Sequence, residues 1–155
     1  GLRSARFPGR MEVVQRQPLV LLDGAHNPEK VDSLVRNLSA IYPERRRVLV
    51  FGALESKNFN EMLTLLLPDT SVLIATAPKV LAKPSTTAPE IAALAPKGLQ
   101  VEAIDDPLEA ADRAIGLAGS GDIVVITGSL YLVGNVRERW YSSEDILTQG
   151  TCWPS

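Results

Sequence analysis

Leu19-Val20-Leu21-Leu22 runs without a break into Asp23-Gly24-Ala25-His26-Asn27-Pro28, and this stretch sets what the chain can fold into. Four consecutive apolar residues leave neither face polar. That suits a strand covered on both sides, as in a parallel sheet. Asn27 is a good helix N-cap, and Pro28 at the first helical position loses no hydrogen bond. Beyond it, Val31, Leu34, Val35, Leu38 and Ile41 fall on one helical face. Residues 23–27 therefore form a short loop between the carboxyl end of a buried strand and the amino end of a helix. Ligands dock at such junctions in α/β folds. The loop offers an acid, a glycine and the chain's single histidine beside free backbone N–H groups, which suits a phosphate or a metal-bound nucleotide.

The same unit recurs. Val48-Leu49-Val50-Phe51 reads as a buried strand ending in Gly52-Ala53. Asn58 caps the next helix, with Glu61 completing a capping box and Met62, Leu65 and Leu66 facing inward. Residues 71–76 form a third buried strand. The proline-bearing loop 77–87, with Lys79 and Lys83, is a candidate binding loop. Thr87 and Glu90 open a short helix through Leu94, and residues 99–104 read as a strand. Asp106, Pro107 and Glu109 open a helix whose inward stripe is Leu108, Ala111, Ile115 and Ala118. Ile123-Val124-Val125-Ile126 is the last strand. After Thr127-Gly128-Ser129, a final helix turns Leu130, Val133, Val136 and Trp140 inward. Residues 10–15 alternate imperfectly and read as a short edge strand, and the arginines of residues 45–47 as a solvated turn. Residues 1–9 read as a linker, 10–141 as the domain and 142–155 as a loose tail. Alternating strands and helices predict a three-layer α/β/α domain: a Rossmann-like, mostly parallel, six-stranded sheet with an antiparallel edge strand.

Net charge is −2, so no basic footprint argues for nucleic acid or an anionic membrane. No apolar run approaches the roughly 20 residues of a membrane helix. One cysteine cannot form an internal disulfide, which fits a reducing, cytoplasmic compartment. There is no Gly-x-x-x-x-Gly-Lys-Ser/Thr phosphate loop, no Gly-x-Gly-x-x-Gly fingerprint and no Gly-x-Ser-x-Gly elbow. No Cys/His cluster could hold zinc, so no metal site is expected in this chain. Ser129, His26 and Asp23 could be drawn as a triad, but nothing marks Ser129 as an activated nucleophile. Taken singly, the candidates have plain alternatives. His26 could be structural, Asp23 a turn residue, Lys57 and Arg10 surface charges, and Ser129 a helix cap. Their interest lies in the topology, which places the junctions at 23–27, 52–58, 76–87 and 127–129 along one rim.

Five segments then occur in a telling order. They are Pro8-Gly9-Arg10-Met11-Glu12, Leu22-Asp23-Gly24-Ala25-His26-Asn27-Pro28, Phe51-Gly52-Ala53-Leu54 with Lys57, Ala75-Thr76-Ala77-Pro78, and Thr127-Gly128-Ser129-Leu130-Tyr131-Leu132-Val133-Gly134. Over residues 7–141 the chain resembles the carboxyl-terminal domain of folylpolyglutamate synthase / dihydrofolate synthase, of the Mur ligase superfamily. The resemblance implies an ATP-dependent ligase that joins L-glutamate to folate or dihydropteroate through an acyl phosphate. It further implies that an amino-terminal phosphate-loop ATPase domain carries most of the ATP and Mg2+ ligands. By position, Arg10, Asp23, His26 and Asn27 fall where the family binds ATP, with His26 near the phosphates as the catalytic candidate. Lys57 and Ser129 fall where the superfamily places glutamate-binding groups. The chain departs from the family at Ser56-Lys57-Asn58, often Asp-Lys-Asp, and in carrying Lys79 and Lys83 where an arginine is usual.

The expectation is a monomeric, excised or separately expressed domain that carries half a site and has little or no ligase activity alone. The alternatives are a non-catalytic α/β module binding a nucleotide or an amino acid, a domain of a peptidoglycan Mur ligase and, as the weakest, a stand-alone hydrolase.

Overall fold

The computed structural model describes residues 6–155. Chain order is β1 (Glu12–Arg16), β2 (Leu19–Asp23), α1 (Pro28–Ile41), β3 (Arg47–Phe51), α2 (Phe59–Leu66), a 3-10 turn (Leu67–Asp69), β4 (Thr70–Ala75), α3 (Ala88–Ala92), β5 (Gln100–Ala103), α4 (Pro107–Leu117), β6 (Ile123–Thr127), α5 (Leu130–Arg137) and α6 (Ser143–Gln149). The six strands form one sheet in the order β1-β2-β6-β3-β4-β5. Only the β1–β2 pairing is antiparallel. The α/β/α architecture expected from the apolar runs is the one observed.

Alternation along each central strand divides the core. Leu19, Leu21, Leu49, Phe51, Leu73, Ile123 and Val125 face one layer, with Val31, Leu34 and Leu38 of α1 and Met62, Leu63 and Leu66 of α2. Val20, Leu22, Val48, Val50, Ile74, Val124 and Ile126 face the other, with Ala110, Ala111 and Ala114 of α4 and Leu132, Val133 and Val136 of α5. Both faces are dry, which is why these strands are continuously apolar.

The helix stripes differ in detail from the sequence reading. Ile41 ends α1 at 59% exposure and Leu108 of α4 lies at 40%. Ala110 and Ala114 join the expected Ala111 in facing the sheet, where small side chains let the helix approach closely. Leu130, the first residue of α5, is also exposed, its side chain lying at the crevice against Gly24. Arg47 is not part of a solvated turn. It opens β3 and is buried, with Nη2 donating to Ser39 Oγ at 3.0 Å and Nη1 to Asp69 at 3.4 Å.

Residues 142–155 are not loose. Ser142 caps α6 through its side chain, and Gly150 closes that helix in the left-handed conformation. Trp153 then returns to β1, where its indole Nε1–H donates to Glu12 Oε1 at 2.9 Å. The short length of α6 hid its periodicity, and the docking depends on a partner 141 positions away. The expected linker at residues 1–9 falls partly outside the described residues. Its described end is a turn in which Arg10 N–H donates to Phe7 O at 3.1 Å. Arg10 thus precedes the edge strand and does not belong to it.

Candidate functional site

Register places the strand ends level. Asp23 is paired with Thr127, Thr127 with Phe51, Phe51 with Ala75, and Ala75 with Ala103. The loops leaving these ends are stitched together. Gly128 N–H donates to Ala25 O at 3.2 Å, Gly52 N–H to Thr127 O at 3.4 Å, and Thr76 N–H to Phe51 O at 2.9 Å. The decisive junction lies between β2 and β6. These neighbouring parallel strands send their following helices to opposite faces, α1 to one and α5 to the other. A crevice opens where strand order reverses in this way.

The crevice has two parts. The first is a cleft of about 330 Å³ lined by Arg10, Asp23, His26, Lys30, Asn37 and Leu130, among others. Asp23 ends β2 with Oδ2 accepting from Met11 N–H at 2.9 Å and Oδ1 from Ala25 N–H at 2.9 Å. Burial pushes its carboxyl above the ordinary aspartate value, outweighing these two N–H groups and the nearby Arg10 charge. His26 Nδ1 lies 2.9 Å from Gly24 O, and Nε2 lies 3.3 Å from Lys30 Nζ. An ammonium only donates, so Nε2 is the acceptor and Nδ1 carries the proton given to Gly24 O. Asn27 Oδ1 caps α1 by accepting from Lys30 N–H at 2.8 Å, so it shapes the corner that holds Lys30. Arg10 reaches the same cleft from the turn before β1.

The second cleft, of about 180 Å³, is lined by His26, Leu54, Lys57, Lys83, Ser129, Leu130 and Tyr131, with Gly128 at its floor. Its lining carries two ammonium groups and no carboxylate. Lys57 is half-buried, and its ammonium has no hydrogen-bond or ion-pair partner among the described residues. Lys83 Nζ donates to Tyr131 OH at 2.8 Å and lies 5.0 Å from the ring centroid. Ser129 is buried and caps α5, with Oγ accepting from Tyr131 N–H at 3.1 Å. Its own hydroxyl proton remains to be donated. Loop 77–87 folds over this side, with Glu55 N–H donating to Pro84 O at 3.0 Å and Thr86 N–H to Ala53 O at 3.0 Å.

All six sequence candidates therefore lie on the crevice or shape it. Arg10, Asp23, His26 and Asn27 surround the first cleft or its corner, Lys57 and Ser129 line the second, and His26 belongs to both. The two loop lysines separate. Lys79 pairs with Asp106 at the start of α4, away from the crevice, whereas Lys83 stays in it. Sequence reasoning missed Lys30, whose only signal was its position four residues after His26. It also missed Tyr131, which stood within a quoted motif, and Glu12. Among the described residues no three His, Cys, Asp or Glu side chains converge into a group that could hold a metal ion. The donor set does not fit a magnesium ion held by this chain alone.

Glu12 sits behind the first cleft and sets a pH dependence. Burial raises its carboxyl, but the Arg137 side chain, Gly9 N–H and Trp153 together hold it below the ordinary glutamate value. A folded-state value below the unfolded one contributes stability above the ordinary carboxylate range, lost as pH falls through it. Urea unfolding from about pH 6 down to about pH 3 should show this slope in the wild type and a flatter one in Glu12→Gln. Equal slopes would contradict the assignment.

Fold and crevice define an α/β domain with a crevice at a strand-order switch point, one mixed-charge cleft and one cationic cleft meeting at a histidine. Residues 9–130 match the family Mur ligase, glutamate ligase domain, and the chain belongs to that family. It is 34% identical over 143 residues to the dihydrofolate synthase/folylpolyglutamate synthase of Bacillus subtilis, covering 90% of this chain and 32% of that protein. Its fold superposes on E. coli FolC in complex with DHPP and ADP with a TM-score of 0.79, at 27% identity over 88% of this chain and 32% of the other. A bifunctional folylpolyglutamate synthase/dihydrofolate synthase with Mn, AMPPNP and L-glutamate bound superposes at a TM-score of 0.73 and 27% identity, with 88% and 32% covered. The chain thus spans about a third of the length of the curated relatives named here. No helix among the described residues is long and apolar enough to cross a membrane.

Proposed function

We propose that this chain is the glutamate-ligase domain of an ATP-dependent ligase that adds L-glutamate to folate or dihydropteroate, acting with a phosphate-loop ATPase domain that supplies most of the ATP and Mg2+ ligands. ATP supplies the phosphoryl group that activates the acceptor carboxylate. The observation that carries the reading is the meeting of the two clefts at His26, with the Lys57 ammonium, unpaired among the described residues, in the one that lacks carboxylates.

In this reading the first cleft takes the nucleotide. Arg10 and Lys30 face its phosphates, and Asp23 keeps a free lone pair on each oxygen for ribose hydroxyls. The second cleft takes glutamate. Lys57 and Lys83 attract its carboxylates, Tyr131 holds Lys83 in place, and the Ser129 hydroxyl donates. Cationic groups on a dicarboxylate set orientation, which lowers the entropic barrier to attack by the amine. His26 Nε2 is the unprotonated ring nitrogen where the clefts join, and it becomes available to an amine proton once Lys30 swings to an anion. The acting enzyme is read as a cytoplasmic monomer.

A chimera carries the test, with this chain replacing the corresponding third of the Bacillus subtilis enzyme. It should release ADP only when both a folate substrate and L-glutamate are present. Lys57→Met should raise KM for glutamate about tenfold or more while changing kcat less, as expected for one lost charge-assisted contact. A folded chimera whose ATP hydrolysis ignores glutamate contradicts the reading and favours a plain binding module.

A further inference from the structure

The turn before β1 holds the first cleft together, and it is strained. Gly9 has φ +70 and Met11 has φ +42, the latter unusual for a side-chain-bearing residue. This turn presents Arg10 to the cleft. Its Met11 N–H donates to Asp23 Oδ2 at 2.9 Å, and its Gly9 carbonyl accepts from Gly24 N–H at 2.7 Å. What holds the turn lies on its other side. Gly9 N–H donates to Glu12 Oε2 at 2.8 Å. The Glu12 carboxylate is in turn held by Arg137, with Nη2 at 3.0 Å from Oε1 and Nε at 3.2 Å from both oxygens, and by the Trp153 indole N–H at 2.9 Å. Arg137 also donates to the Cys152 carbonyl, and the Arg6 guanidinium lies 4.9 Å from the Trp153 ring centroid.

We infer that the carboxyl-terminal segment is a brace for the nucleotide-facing turn, with Trp153 as a positioning residue that acts through Glu12 on Gly9, Arg10 and Met11. The connection is continuous: Trp153 to Glu12, Glu12 to Gly9, Gly9 to Gly24, and Met11 to Asp23. Trp153 touches neither cleft. Its hydrogen bond and those of Arg137 fix the carboxylate that anchors one side of the turn. Without them the strained Gly9–Met11 backbone has lost an anchor and relaxes. Arg10 and Asp23 then lose their fixed separation. The functional consequence rests on the nucleotide reading of the first cleft; the mechanical linkage does not.

The test uses the whole 155-residue chain as wild type, Trp153→Phe and Trp153→Ala. Phenylalanine keeps an aromatic ring for Arg6 while removing the N–H and part of the indole's bulk, and alanine removes both contacts. Amide hydrogen exchange at Met11 and Gly24 should speed up about tenfold in both variants, the size of one lost hydrogen bond to a charged acceptor. Exchange at Val50 and Val125 in the central strands should stay unchanged. ADP titration should show weaker binding by about threefold or more, as the fixed Arg10 geometry is lost. Unchanged exchange at Met11 and Gly24 overturns the brace, and so does acceleration shared equally by Val50 and Val125, which would mean general unfolding. If those two amides respond but ADP affinity is the same for wild type and both variants when each is carried in the chimera with the Bacillus subtilis ATPase domain, the brace stands and the nucleotide reading of the cleft falls.

Discussion

Arg137→Ala is expected to destabilise the protein by about 3–5 kcal/mol, the usual result of stripping a buried carboxylate of its ionic partner. The Glu12 and Arg137 side chains are 3% and 11% exposed, so little water solvates the pair while the guanidinium is in place. Two kinds of interaction go at once: the bidentate contact with Glu12 and the bond to the Cys152 carbonyl. The guanidinium also lies 4.6 Å from the Tyr141 ring centroid. Glu12 would be left with Gly9 N–H and Trp153 as its donors, and at neutral pH it would carry a largely uncompensated charge. Urea unfolding checks this directly. The double variant Glu12→Gln, Arg137→Met should recover most of the loss, because the penalty comes from the orphaned charge and not from missing volume. A double variant as unstable as Arg137→Ala would show that packing, not charge, governs the site.

The second large effect belongs to Gly128. Its φ is +115, outside what side-chain-bearing residues readily adopt, and a Cβ there would lie 2.4 Å from Gly52 O and 2.9 Å from the Phe51 ring. Neither obstacle is the loose end of a flexible side chain. Gly128→Ala should therefore cost about 2–5 kcal/mol, combining a strained backbone and an overpacked contact. It should also push apart the β3 and β6 loop ends that floor the second cleft, weakening glutamate binding beyond what stability loss explains. Thermal unfolding and a glutamate titration on the same sample separate these effects. A stable Gly128→Ala variant with unaltered glutamate binding contradicts the close approach of these loops.

Much of this was readable before the structure because local rules and tertiary packing agree. The apolar runs at residues 19–22, 48–51 and 123–126 could be buried only on both faces. Asn27, Thr87 and Asp106 all cap the helices they were expected to cap. The rim followed from the topology, so Asp23, His26, Asn27, Lys57 and Ser129 came together with no spacing signal linking Lys57 to Ser129, whereas Arg10 lay outside the expected junctions and came in through the family resemblance. What escaped depended on long-range partners. Arg47 looked like part of a charged surface until Ser39 and Asp69 closed on it. Trp153 sat in a segment without period. Glu12, Arg137 and Trp153 meet across 125 and 141 positions, and no local pattern announces a carboxylate shared by two such distant donors. Lys30 was overlooked for another reason, since an exposed lysine in the first helical turn is ordinary until His26 Nε2 is found beside it.

The central claim is that two adjoining clefts divide the ligands, nucleotide at Arg10, Asp23 and His26, amino acid at Lys57, Ser129 and Tyr131. Residue-resolved NMR titration of the chain with ADP and, separately, with L-glutamate tests it most directly. ADP should shift the amides of Gly24, His26 and Lys30, glutamate those of Lys57, Gly128, Ser129 and Tyr131, and His26 should respond to both. Glutamate shifts confined to the Arg10 and Asp23 side, or ADP shifts confined to Lys57 and Tyr131, would contradict the account.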